Sequence, residues 1–114
     1  MQITIETKPG DVTIFRITGK MLIGEGDELL RKKINEFVEK GRKKIILDMK
    51  EVPYIDSVGL AEMVRSYTAV SRNDGEPIRL LNLRKRLSDL LSITKLISLF
   101  LVFDNEEEAI ASFD

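Results

Sequence analysis

Asp56 and Ser57 stand side by side in the run Val52-Pro53-Tyr54-Ile55-Asp56-Ser57-Val58-Gly59-Leu60, immediately ahead of apolar residues at helical spacing. A carboxylate at that place can act as an N-cap by accepting from the free N–H groups of Val58 or Gly59. Ser57 then opens the first turn with its hydroxyl outward. A phosphoryl group on that oxygen would face unpaired backbone N–H groups and the positive end of the helix dipole, an interaction of about 0.3–1 kcal/mol, rising to roughly 2 when partly buried. Gly59 costs about 1 kcal/mol relative to alanine inside a helix, which suggests a close backbone approach. Asp-Ser before an apolar helical pattern is more commonly an ordinary cap, so the residues alone leave both roles open.

Few other groups could do chemistry. The 114 residues include no cysteine and no histidine, which excludes disulfides, thiolate or histidine metal sites and the Ser-His-Asp arrangement. No enzymatic activity, metal or cofactor is therefore expected. Eighteen basic and nineteen acidic side chains give a net charge of −1, too balanced for a phosphate-backbone or anionic-membrane binder. Gly24-Glu25-Gly26 lacks the third glycine and the setting of a dinucleotide loop, and no P-loop pattern occurs. Arg31-Lys32-Lys33, Arg42-Lys43-Lys44 and Arg84-Lys85-Arg86 read as solvated faces, the last also able to touch an acidic partner. Glu106-Glu107-Glu108 complements a helix dipole. Met1 to Glu6 lacks the order of a signal peptide, and the most apolar stretch, Leu96 to Phe103, falls far short of the ~20 residues of a membrane span. That stretch reads as a buried strand, and the expected location is the cytoplasm.

The elements that must position Ser57 follow from periodicity. Ile3 and Ile5 alternate with polar neighbours, Lys8-Pro9-Gly10-Asp11 supplies a turn, and Val12 to Thr18 alternates again. Leu30, Ile34, Phe37 and Val38 recur at helical spacing before Gly41, and Ile45-Ile46-Leu47-Asp48-Met49 has the continuous apolar character of a parallel strand covered on both faces. Leu60, Val64, Tyr67 and Ser71 share a helical face that Asn73-Asp74-Gly75 and Pro77 end. A strand over Ile78–Leu83, a helix through Leu87, Leu90, Leu91 and Thr94, a strand over Leu99–Phe103 and a short helix through Ala109, Ile110 and Phe113 complete the chain. The order β-β-α-β-α-β-α-β-α predicts one α/β domain over residues 1–114, with a mostly parallel mixed sheet of about five strands and four helices. The loop bearing Ser57 then leaves the carboxyl end of the central strand, where such sheets meet ligands and partners.

The Val52–Leu60 run, following Ile45–Met49, resembles the signature of the sulfate transporter and anti-sigma factor antagonist (STAS) domain, specifically the bacterial anti-sigma factor antagonists. Ile14-Phe15-Arg16-Ile17-Thr18-Gly19 looks like that family's second strand and terminal glycine. Leu90-Leu91-Ser92-Ile93-Thr94 through Phe103-Asp104-Asn105-Glu106-Glu107-Glu108-Ala109 looks like its last helix-strand-helix unit. In that family the serine after the aspartate, here Ser57, is the phosphoacceptor. The resemblance implies a non-enzymatic partner switch in which the unmodified protein captures an anti-sigma factor that is also its serine kinase, and a serine phosphatase resets it. It implies a monomer or weak dimer without direct nucleic-acid or membrane contact. A scaffold subunit of a signalling assembly and an accessory subunit of a membrane transporter are the alternatives. Leu22, Ile23 and Gly24 join Asp56, Ser57, Val58 and Gly59 as expected partner contacts. The family often carries an acidic residue three positions after the glycine that ends its second strand; here Lys20, Met21 and Leu22 follow Gly19. Met21-Leu22-Ile23 also fits buried core, and the two readings diverge most at Leu22.

Overall fold

The computed structural model describes residues 1–20 and 29–113. Strands β1 (Gln2–Lys8) and β2 (Val12–Thr18) pair antiparallel through a turn in which Gly10 (φ +79°) and Asp11 (φ +62°) are both left-handed, the conformation that carries a tight reversal. Helix α1 (Leu29–Glu39) buries Leu30, Ile34 and Val38. It stops as the sequence predicts. Gly41 takes φ +83° and donates to the Val38 carbonyl at 3.0 Å, while Arg42 N–H reaches Phe37 O at 2.9 Å, the paired bonds of a Schellman ending.

Strand β3 (Lys44–Glu51) lies at the middle of a five-stranded sheet ordered β1-β2-β3-β4-β5, with α2 (Ser57–Arg72), β4 (Arg79–Leu81), α3 (Lys85–Ile93), β5 (Leu101–Phe103) and α4 (Glu106–Ala111) following. Each of β3, β4 and β5 pairs parallel to its predecessor. Because every crossover steps the same way along the sheet, right-handed connections put their helices on one face. Leu30, Ile34, Met63, Val70, Leu87 and Leu91 accordingly share one core with Phe15, Ile17, Ile45, Leu47 and Leu80. The opposite face alternates out of register with it, and there Val12, Ile14, Ile46 and Leu81 are covered by Ala109 and Phe113. The α/β class, element order and strand-to-helix alternation agree with the sequence expectation.

Two local expectations are corrected. Leu96–Phe103 is not a continuous buried strand: Leu96–Leu99 forms a single 3₁₀ turn, and the strand that follows is the three-residue edge β5, with Leu101 44% and Val102 41% exposed. Lys95, at φ +64°, turns the chain just ahead of the run, and Phe100, extended at φ −123° and ψ 160°, leads from the helical turn into the sheet edge. On α2 the buried positions are Gly59, Glu62, Met63, Ser66 and Val70, a face turned by about one residue from Leu60, Val64, Tyr67 and Ser71, and Ser71 is exposed. Packing against α1 sets this rotation. Glu62 is buried there, with Arg65 Nη1 at 2.7 Å and Arg31 Nε at 3.9 Å from its carboxylate.

A charged cluster fastens α4 across the sheet. Arg16 donates to Glu6 and places nitrogens 2.8 Å from both Asp48 and Glu106, while Lys8 bridges Glu6 and Glu106. The hydrogen bond from Arg16 holds the Glu6 carboxyl below its ordinary value. Among the described residues, no helix is long and apolar enough to cross a membrane.

Candidate functional site

Chain direction changes abruptly after β3. Val52 N–H donates to Met49 O at 3.0 Å, and Val52 and Ile55 are buried while Pro53 and Tyr54 between them are exposed. Two apolar anchors thus fix both ends of the short loop that delivers Asp56. Asp56 is extended, with φ −96° and ψ −173°, and its Oδ1 accepts from Val58 N at 3.0 Å and Gly59 N at 2.9 Å. Its own carbonyl accepts the first helical bond, from Leu60 N at 2.9 Å. Asp56 is therefore the N-cap that the sequence predicts.

With that cap in place, Ser57 is the first helical residue and is exposed. Val58 is half-buried and Gly59 buried, so the four residues at the helix start divide into an outward hydroxyl and an inward-facing turn. Leu22, Ile23 and Gly24, the other expected contacts, lie outside the described residues. The structure brings Asp56, Ser57, Val58 and Gly59 together at the carboxyl end of β3.

Beside Ser57 runs an open groove of about 570 Å³ between the start of α2 and α3, lined by Tyr54, Ile55, Leu60, Leu87, Leu90 and Ile93, with Asp56, Ser57, Arg86 and Asp89 on its walls. Ile93 is 80% exposed, the most exposed large apolar side chain among the described residues. The Arg86 guanidinium lies 5.3 Å from the centre of the Tyr54 ring, a cation–π contact at the rim. The sequence pattern does not mark this groove as part of the site. Leu90 and Ile93, three residues apart, carried its only signal, and that spacing also fits a core stripe.

Comparison with known proteins places this geometry in a family. The STAS domain family model matches residues 2–109. The chain belongs to the STAS domain family. An anti-sigma F factor antagonist from Paenibacillus polymyxa is 24% identical over 115 residues, which cover 100% of this STAS domain and 96% of the relative. A solved sulfate transporter family protein from Wolinella succinogenes is 28% identical with a TM-score of 0.77, over 94% of this chain and 88% of that one. The Bacillus cell fate determinant SpoIIAA, solved in its phosphorylated form, has a TM-score of 0.76 at 21% identity, over 99% of this chain and 100% of that one. At that identity the last likeness shows the shared fold alone.

Proposed function

We propose that this STAS domain is an anti-sigma factor antagonist, a protein-binding module that holds an anti-sigma factor while Ser57 is unmodified and releases it when Ser57 is phosphorylated. The observation that carries the proposal is the exposed Ser57 hydroxyl on a rigidly capped helix start, at the wall of an open apolar groove. End-to-end similarity to an anti-sigma F factor antagonist supports the same reading. The partner is an anti-sigma factor serine kinase. In the modifying step the γ-phosphoryl group of ATP passes to Ser57 Oγ, ADP leaves, and the hydroxyl proton goes to a base on the kinase. A serine phosphatase reverses it by hydrolysis. Residues 1–114 act as one domain, as a monomer or weak dimer in the cytoplasm, and the domain itself catalyses nothing.

The size of the gate follows from charge. A phosphate adds about −1.5 to −2 charge. Burying it against a closely packed partner without a compensating cation costs several kcal/mol. At about 1.4 kcal/mol for each tenfold, the complex weakens a hundredfold or more. Asp56, Val58 and Gly59 shape the contact, and Leu22, Ile23 and Gly24 extend it.

The test is a pull-down from native cytoplasm with unmodified and Ser57→Asp protein, followed by calorimetry with the captured kinase and mass spectrometry after incubation with ATP. A single phosphate at Ser57 and at least a hundredfold loss of affinity are expected. Phosphate at Ser66, Ser71 or Ser88 with Ser57 unmodified refutes the assignment. Leu22→Ala separates contact from core, since a contact loses affinity at nearly constant stability, whereas core loses about 2–5 kcal/mol of stability. Similarity to the Wolinella protein favours one other reading, an accessory subunit of a transporter, which predicts capture of a membrane protein that is indifferent to Ser57.

A further inference from the structure

The cluster Arg84-Lys85-Arg86 divides into two committed cations and one available one. Arg84 Nε donates to the Lys50 carbonyl at 2.9 Å, which ties the start of α3 to the end of β3. Lys85 Nζ lies 2.9 Å from Asp89, one turn along the same helix. Arg86 has no carboxylate partner among the described residues, and its contact is the face of Tyr54. It lines the same groove as Ser57.

Electrostatics at the start of α3 favour an incoming anion. Helix α2 is capped by Asp56, and α4 by Asn105 with three glutamates in its first turn. Helix α3 has no side-chain cap and no acidic residue in its first turn, which instead carries Lys85 and Arg86 at the positive end of the dipole. Cations there are destabilising until an anion joins them. A guanidinium matches phosphate with two parallel N–H donors, a stronger interaction than its stacking on an exposed tyrosine.

We propose that Arg86 is the internal receptor for a phosphate on Ser57, so that modification swings the guanidinium off Tyr54 and across the mouth of the groove. The phosphorylated protein then fills its own docking groove with an ion pair, and loses a rim cation to which an acidic residue of the partner could bind. This inference rests on the reading of Ser57 as phosphoacceptor and adds how the phosphate acts. Arg86 is exposed, so its replacement leaves the fold intact.

The test installs phosphoserine at position 57 during translation and follows its phosphate by phosphorus NMR as pH is varied. The second pKa, about 6 in free phosphoserine, is expected to lie lower in the parent protein. Asp56 and Asp89 on the groove walls oppose that lowering, while Arg84, Lys85 and Arg86 favour it. Arg86→Ala should raise the value by about 0.5, as a surface ion pair is lost. Arg84→Ala and Lys85→Ala should each move it by less than about 0.2, because both side chains have other partners. Proton signals of the Tyr54 ring should shift on phosphorylation in the parent and remain in place in the Arg86→Ala protein. Equal phosphate pKa values in the parent and Arg86→Ala proteins, a larger change in Arg84→Ala, or a stationary Tyr54 signal would overturn the inference. Calorimetry of the same phosphoprotein with the captured partner keeps the two readings apart. Release of partner with a phosphate indifferent to Arg86 refutes only the internal receptor, whereas an Arg86-dependent phosphate without release refutes only the switch.

Discussion

At the start of α2 one carboxylate oxygen serves two backbone donors, Val58 N and Gly59 N, and the neighbouring hydroxyl is left outward. Asp56 thus carries the local stability, and Ser57 is available for modification. Asp56→Ala should cost about 1 kcal/mol in a urea melt, the usual value of a lost N-cap. Ser57→Ala should stay within about 0.5 kcal/mol of the parent, as an exposed change does. A loss near 2 kcal/mol at Ser57 would transfer the capping role to it. Glu6 offers a pH test of the Arg16 cluster. Its pKa is lowered in the folded protein, chiefly by the hydrogen bond from Arg16. The stability it contributes is complete above its ordinary value of 4.5 and is lost as pH falls through the lowered one. In Arg16→Ala protein the Glu6 midpoint, read by carboxyl NMR, should move up toward 4.5, and the stability profile should flatten below that pH.

Among the elements, the ends of helices were legible wherever a residue type carried a specific conformation. Gly41 and the Asn73-Asp74-Gly75 run both end helices as read, the second with Asp74 at φ +59° and Gly75 N–H on Val70 O at 2.9 Å. Lys95 takes the same left-handed conformation without glycine or asparagine to announce it, so the turn that leads into the Leu96–Phe103 run had no sequence signal. The rotation of α2 was hidden for another reason. Its inner face includes Glu62 and Ser66, polar residues buried by an ion pair and a bond to the Glu62 carbonyl, which apolar periodicity cannot register. Asp56 was readable because capping is local, whereas the groove required α2 and α3 to be brought together by tertiary packing. Gly75 tests how tightly α2 is joined to the sheet. A Cβ there would sit 2.4 Å from Val70 Cγ1, 2.9 Å from Val70 O and 3.2 Å from Lys43 O. Two of those atoms are backbone, so Gly75→Ala should destabilise by about 1–3 kcal/mol, measured as a lower denaturant midpoint.

Across the whole molecule the two faces of the sheet are protected unequally. One carries three crossover helices, and the other relies on α4, six residues long, to cover Val12, Ile14, Ile46 and Leu81. A helix that short has little stability of its own. It is held by Phe113 and by Arg79, whose guanidinium donates to Ser112 Oγ and Ser112 O at 2.8 Å and stacks 3.8 Å from the Phe113 ring. Phe113→Ala should therefore cost about 3 kcal/mol in a urea melt, from lost burial and an unstacked guanidinium. Amide hydrogen exchange should show the α4 protons exchanging through a sub-global opening, ahead of the β2 and β3 amides that wait for complete unfolding. In each such opening the fold stays intact but briefly presents an oily strip on its second face. The concentration at which molecules meet during that interval, more than the global unfolding free energy, then sets how long a solution of the protein stays clear.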